Sequence, residues 1–349
     1  MSSTNKFPTV LITSCDGATG SSIANHLAKC DDRIHEVRML CQNKDEAHAH
    51  LLSGSRNFKL CQVNPTDKDA IKQLMQGVDL VAIVPPARHN KFDVARTMLS
   101  CTIDAQVPNA ILLSWCGTHA GESTAKTTQL AKFKDLEQAF MAADGIHNKV
   151  TVRANWFADN LTTYATLIVH NKSLPLPVGT SAKIAPLDSD VLGMALAKLM
   201  GMMLGDEKVT GGDSKMVDKV KNQTLTFTGA TPMSGPDMAR ELGKAMGCEI
   251  AFKDVTLDQA KQVLCQTRPK LDESEIDALL ETYTLWKDGI MDRTSDDLMQ
   301  VLGIEHPKFD VSATRLKPLL FSFAGAQGET GGMAGQQKVM AQTEGVKTK

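Results

Sequence analysis

Aromatic residues are scarce in this chain of 349 residues: they make up 5% of it, with three tryptophans and only two tyrosines, Tyr164 and Tyr283. Chemistry that needs a tyrosine as acid therefore has two places to look. Excess charge is also missing. Lys and Arg number 38 against 40 Asp and Glu, a formal net charge of −2, which leaves no electrostatic footprint for nucleic acid and no polybasic run for an anionic membrane. The expected partners are small molecules, with no nucleic acid and no membrane among them. Cysteine pairs are absent too: the eight cysteines, at 15, 30, 41, 61, 101, 116, 248 and 265, contain no C-x-x-C and sit mostly in apolar segments. That pattern suits buried free thiols and indicates neither disulfides nor a metal. Long apolar runs do not occur. The longest apolar helix candidate, Val191 to Leu204, carries Lys198 and is far shorter than the ~20 residues of a membrane span, so it reads as a core helix. The start, Met1 to Pro8, is polar with one lysine and lacks the apolar stretch of a signal peptide, so a cytoplasmic location is expected.

What is present is alternation. Hydrophobic residues make up 42% of the chain, enough for a sizeable core in one large domain or two modest ones. Short, apolar, partly β-branched segments at Thr9–Thr13, Glu36–Cys41, Lys59–Val63, Leu80–Val84, Ala110–Ser114 and Lys149–Arg153 read as strands. Between them, Ser21–Lys29, Lys44–Leu52, Asp67–Met75, Asp93–Ala105 and Thr127–Ala142 carry apolar residues three and four apart, as helices do. Strands taking turns with helices imply right-handed crossovers and a parallel sheet covered on both faces. The predicted fold is α/β: a doubly wound Rossmann-type sheet over residues 1–155.

Beyond Asn155 the alternation loosens, and a smaller, mostly helical C-terminal region, partly interleaved with the first, is expected over 156–323. Leu174-Pro175-Leu176-Pro177 before Gly179 reads as a turn-rich connector, and Asp206 to Asn222 as an exposed loop. Gln223–Thr228 and Glu249–Val255 read as strands and Gly235–Met246 as a helix. From Leu257 to Leu302 the pattern is mainly helical, with Asp258, Asp272 and Thr294 as N-cap candidates. Residues 324–349 are rich in Gly, Gln, Lys and Thr, and a disordered tail is expected.

The first strand runs straight into Ser14-Cys15-Asp16-Gly17-Ala18-Thr19-Gly20 and a helix start. A tight turn there exposes backbone N–H groups and the positive end of a helix to an anion such as a dinucleotide's pyrophosphate. Against a G-x-x-G-x-x-G spacing, the positions fall on Ser14, Gly17 and Gly20, so serine stands where the first glycine is expected. Its hydroxyl could donate to a phosphate, although its Cβ sits where the turn wants none.

This turn, the corner Asn64-Pro65-Thr66-Asp67, the lead Gln76-Gly77-Val78-Asp79 and Val84-Pro85-Pro86 come in a fixed order with two later segments, Val150 to Leu161 and Leu225-Thr226-Phe227-Thr228-Gly229. Together they resemble the NmrA-like family of atypical short-chain dehydrogenase/reductases, over roughly residues 8 to 320. The resemblance implies NAD(P) bound by the Rossmann domain and a substrate-side C-terminal part. It implies cofactor contacts at Ser14, Gly17, Ala18, Thr19, Gly20, Gln42, Lys44 and Pro85. An acidic residue at the end of the second strand would favour NAD, and an arginine there NADP. The chain has Gln42 at that place and Lys44 just after it, so NADP is expected with NAD possible; Lys44 could equally begin an exposed helix.

The tyrosine acid of typical short-chain dehydrogenases precedes a lysine by four, but neither tyrosine here does so. Lys132 and Lys134, on the expected helix, have Thr128 and Leu130 at that offset. Ketone reduction by that route is therefore not expected, since a general acid contributes about 10²–10⁴ in rate. The implied activity is reduction of a planar, already electrophilic small molecule, a quinone, enone or iminium, which needs mainly orientation of the nicotinamide. Lys134, near the lysine position of isoflavone-reductase-like relatives, is the catalytic candidate; it could also be a solvated lysine beside Asp135 and Glu137. Ser114, Trp115, Asn155, Trp156 and Phe157 are the substrate-side candidates, with Tyr283 and Trp286 as a pocket wall or as core. His119 and His147 are isolated and form no triad. The alternative is a non-catalytic, NAD(P)-binding, redox-sensing regulator with a protein partner.

Overall fold

The computed structural model describes residues 7–29, 33–50, 57–124, 128–210, 215–267, 270–304, 309 and 316–329. In chain order it begins β1 (Thr9–Ile12), α1 (Ala18–Ala28), β2 (Glu36–Cys41), α2 (Lys44–His50), β3 (Phe58–Gln62), α3 (Lys68–Met75), β4 (Leu80–Ile83) and α4 (Lys91–Asp104). Next come β5 (Asn109–Trp115), α5 (Thr128–Ala142), β6 (Asn148–Ala154), α6 (Ala165–Val169), β7 (Ser173–Leu176), β8 (Lys183–Ile184) and α7 (Ser189–Met203). The chain continues with α8 (Glu207–Thr210), α9 (Met216–Val220), β9 (Gln223–Phe227), β10 (Met233–Ser234), α10 (Gly235–Met246) and β11 (Ala251–Asp254). It closes with α11 (Leu257–Leu264), α12 (Glu273–Lys287), α13 (Asp297–Leu302) and α14 (Leu316–Glu329).

Seven strands form one sheet in the order β3-β2-β1-β4-β5-β6-β9, and every pairing in it is parallel. This is the doubly wound Rossmann sheet. Its central strands are mainly apolar runs, TVLI in β1 and LVAI in β4, buried at every position, as suits parallel strands covered on both faces. The strand order reverses between β1 and β4, where the two outgoing connections part and leave a crevice at the carboxyl ends.

The chain divides into two compact units. One comprises Met1–Ala154, Ser189–Phe227 and Ser295–Glu305; the other comprises Asn155–Asp188, Thr228–Thr294 and His306–Lys349. The division after Ala154 lies one residue from the expected 155, but two later segments return to the first unit. Strand β9, expected in the C-terminal region, pairs with β6 at the sheet's edge, with Leu225 and Phe227 buried. In α7, a Cβ added at Gly193 would lie 2.1 Å from the Ser22 hydroxyl oxygen of α1, so that glycine lets the two helices approach closely.

The second unit is smaller and largely helical. Its two short sheets pair β7 with β11 in parallel and β8 with β10 in antiparallel fashion. The expected connector at Leu174 to Pro177 is thus partly strand: Leu174 and Leu176 are fully buried, and a two-stranded sheet tolerates Pro175, which has no N–H to donate. The expected loop from Asp206 to Asn222 carries α8 and α9, with 211–214 outside the described residues. Asp272 caps α12 as expected, but α11 is capped by Thr256 in a box with Gln259, and α13 follows Asp296. Asp258 and Thr294 do not serve. Helix α14 runs through the expected tail start at Ala324 as far as Glu329, beyond which lie no described residues. Cys30, Leu51, Leu52 and Thr127 also fall outside the described residues.

The core of the second unit contains both tyrosines. The hydroxyls of Tyr164 and Tyr283 hydrogen-bond each other at 3.1 Å, and both side chains are fully buried. Trp286 lies 5.6 Å from Trp156 and 6.4 Å from Tyr283 between ring centroids, and its indole N–H donates to the Ala182 carbonyl at 3.0 Å. Tyr283 and Trp286 are therefore core rather than pocket wall.

Burial pushes both phenols well above the ordinary tyrosine range, while an unfolded chain releases these protons near pH ~10. Their contribution to stability is complete below that pH and is lost as pH rises above it. Absorbance at 295 nm is expected to show no tyrosinate in the folded chain through about pH 11, then both phenolates together when the chain unfolds. A folded-state midpoint near pH ~10 would place a hydroxyl in water instead.

Candidate functional site

The glycine turn lies at the β1/β4 reversal, stitched to the end of β4. The Thr13 hydroxyl accepts from the Val84 N–H at 2.8 Å, and the Ser14 hydroxyl donates to the Val84 carbonyl at 2.6 Å. Ser14 has φ +56°, the left-handed conformation that glycine would adopt freely and that costs another residue about 1–2 kcal/mol. A hydrogen bond worth about 1 kcal/mol offsets much of that. The Ser14 hydroxyl is thus committed to Val84, which corrects the expectation that it offers itself to a phosphate.

Gly20 has a different reason. A Cβ there would lie 2.5 Å from the Ser14 carbonyl oxygen and 2.9 Å from that of Thr13, so the helix can lie this close to the turn only without a side chain. Gly17 is the N-cap of α1; it supplies no capping side chain, and the helix has no acidic residue in its first turn. The backbone N–H groups at Ala18 and Thr19 are left facing outward at the positive end of an 11-residue helix. Free N–H groups at that end of a helix fit a pyrophosphate.

Asp16 was not among the expected site residues, yet it organises the next layer. Its side chain is only 4% exposed, and its Oδ2 accepts the N–H of Gln42 at 3.0 Å and of Asn43 at 3.3 Å. The same oxygen lies 3.3 Å from Arg88 Nη2, which reaches Glu46 Oε2 at 2.9 Å. Arg88 comes from the loop after β4, behind half-buried Pro85. Sequence spacing gave no signal for it, because the loop is joined to β2 only through the β1/β4 reversal. Gln42 is half-buried and its carbonyl accepts from the Gln62 side chain at 3.1 Å; Lys44 is exposed. Burial, then the Asp16 charge, raises the Cys41 thiol to about 11, and burial drives Cys15 well above its usual range. Neither is a thiolate nucleophile at neutral pH.

At the end of β5, Ser114 is 4% exposed and its hydroxyl has no hydrogen-bond partner among the described residues. Trp115 is half-buried, edge-on to Phe133 at 6.0 Å, which packs on Phe92 at 4.9 Å. Lys132 is exposed, with its ammonium 5.9 Å from the Phe92 ring centroid. Lys134 is half-buried and makes no hydrogen bond or ion pair among the described residues. Glu137 does not pair with it. That carboxylate is buried and accepts from the Thr118 hydroxyl at 2.9 Å and from Arg153 Nη2 at 2.6 Å.

Asn155 and Trp156 are spent on the fold of the second unit, against the expectation that they face a substrate. The Asn155 amide donates to the Ala185 carbonyl at 2.9 Å and accepts the Trp156 N–H at 2.8 Å, and both residues are at most 1% exposed. Leu187 N–H donates to the Trp156 carbonyl at 2.9 Å. Gly229 belongs to the same lock: a Cβ there would lie 2.1 Å from the Pro186 carbonyl oxygen. Phe157 alone of the three remains half-buried.

Residues 16–185 match a protein family described as NAD(P)H-binding. Over 295 residues, 84% of this chain and 93% of the relative, the sequence is 22% identical to an NAD(P)H azoreductase of Xenophilus azovorans. Among solved structures, an NADPH-dependent quinone oxidoreductase of Escherichia coli in complex with NADPH aligns with TM-score 0.69 at 17% identity, covering 90% of this chain and 99% of that one. NmrA, a negative transcriptional regulator in complex with NAD, aligns with TM-score 0.63 at 12% identity, covering 94% and 98%. The chain has a Rossmann fold, structurally close to both at low sequence identity.

Gly20→Ala is expected to cost about 1–3 kcal/mol through the clash with the Ser14 carbonyl, measured by urea unfolding, and to weaken dinucleotide binding. Ser14→Gly exchanges a hydrogen bond for relief of backbone strain and is expected to stay within about 1 kcal/mol of the native chain. A large loss from Ser14→Gly, or none from Gly20→Ala, would contradict this account of the turn.

Proposed function

We propose that this chain is an NAD(P)H-dependent reductase of planar, electrophilic small molecules such as quinones, enones or iminium ions. The observation that carries the reading is the open N-terminus of α1 behind Gly20, at the reversal of the sheet. The match to an NAD(P)H-binding family supports it, as do the likenesses to an azoreductase and a quinone oxidoreductase. A bound reduced nicotinamide supplies a hydride, two electrons and one hydrogen nucleus. The chain's own residues do the rest: Gly17, Ala18 and Thr19 hold the pyrophosphate by their backbone, and Pro85 borders the path along the end of β4. Trp115 offers flat surface to a planar substrate, and the Ser114 hydroxyl, which has no hydrogen-bond partner among the described residues, offers a hydrogen bond to it.

Both tyrosines are buried against each other, so no tyrosine acid takes part. An iminium ion needs none, because hydride addition alone completes its reduction, whereas a quinone also requires protons. Lys134, free of any carboxylate partner among the described residues, is the donor we assign to that step. The seven described cysteines are free thiols, which suits a reducing cytoplasmic setting. Among the described residues no helix is long and apolar enough to cross a membrane. The likeness to NmrA favours a second reading, a regulator that binds the dinucleotide without turnover and answers to a protein partner.

Titration with NADPH and NADH, followed by tryptophan fluorescence, is expected to saturate. Consumption of NADPH is expected with quinones and iminium salts; binding without consumption across these substrates would favour the regulator. Lys134→Ala is expected to lower kcat on a quinone by about 10²-fold and to leave an iminium salt near the native rate. Undiminished quinone turnover would remove the lysine from the mechanism.

A further inference from the structure

We propose that Arg88 recognises the 2′-phosphate of NADPH, and that Glu46 occupies its guanidinium until the phosphate arrives. The inference rests on the dinucleotide reading above and adds to it the group that chooses between the two nicotinamide cofactors. The usual place for such a cation, the end of β2, holds Gln42, and the nearby Lys44 is exposed. Arg88 reaches the same place from the other side of the reversal. Buried Asp16 fixes it there, since the carboxylate oxygen that meets Arg88 Nη2 also accepts the Gln42 and Asn43 N–H groups. The guanidinium is thereby held beside the backbone that should border the adenosine ribose.

The second partner is of another kind. Glu46 is 52% exposed and Arg88 38% exposed, so water screens their pair and it is weak. A phosphate dianion carries more charge than Glu46 and presents several oxygens to the planar fork of a guanidinium. Arg88 Nε and Nη1 make no hydrogen bond among the described residues and are available to it. A bare 2′-hydroxyl, as in NADH, is neutral and cannot compete for the guanidinium. Glu46 thus lowers the affinity for NADPH by what its displacement costs, and leaves NADH, which does not engage the guanidinium, unaffected.

The test uses the full chain and three probes: NADPH, NADH and 2′,5′-ADP, which carries the phosphate without the nicotinamide. Arg88→Gln is expected to weaken NADPH and 2′,5′-ADP by about 10- to 100-fold, measured by calorimetry, and NADH by less than about twofold. Arg88→Lys should recover part of the loss, because it restores the charge without the fork. Glu46→Gln should tighten NADPH and 2′,5′-ADP and leave NADH unchanged. Equal losses for NADPH and NADH in Arg88→Gln would overturn the proposal and make the arginine a support of the turn through Asp16, as would unchanged binding of both. A native chain that binds neither dinucleotide overturns the dinucleotide reading itself, and this assignment with it.

Discussion

The contact on which the rest depends is between two backbones. Helix α1 approaches the turn after β1 so closely that Gly20 has no room for a Cβ beside the Ser14 carbonyl. That approach sets the direction of the helix and hence where its free N–H groups point. It also requires the turn to stay where it is, and the turn is held at Val84 by Thr13 and Ser14. The positions of β1, β4 and α1 are therefore one decision made at a single seam.

Electrostatics extends that seam outward. Asp16 is buried, and a buried carboxyl group needs hydrogen-bond partners. It finds two backbone N–H groups at the start of the loop after β2 and one guanidinium from the loop after β4. Three loops at the carboxyl edge of the sheet thus share one charge. The outer rim, with Glu46 and Lys44, is exposed and contributes little to holding the fold.

The alternation of strands and helices was legible because parallel strands buried on both faces must be mainly apolar, as β1, β4 and the middle of β5 are. Gly20 was legible for the same kind of reason, since a turn between a buried strand and a helix leaves a short list of residues that fit. Arg88 was not, because its importance depends on which loops the strand order brings together. Asn155 and Trp156 were misplaced because a polar or aromatic residue after a strand looks the same whether it faces a ligand or locks a loop. Only their partners, Ala185 and Leu187, separate the two. Leu174 to Pro177 misled in the opposite way: its prolines suggested a turn, whereas the buried leucines between them found β11 as a partner.

The interleaving of the two units has a consequence for synthesis of the chain. The first unit has its glycine turn and six strands by Ala154, but its edge strand β9 and the glycine of α7 that lets it lie on α1 come later. Later still is Asp297, whose carboxylate accepts the N–H of Thr226 in β9 at 2.6 Å. At about 5–20 residues per second, the ribosome takes on the order of ten seconds to pass from the end of β6 to the end of β9. For that interval the nascent sheet has an open edge at β6, and a cell making this protein must keep that edge from other strands until β9 has been made.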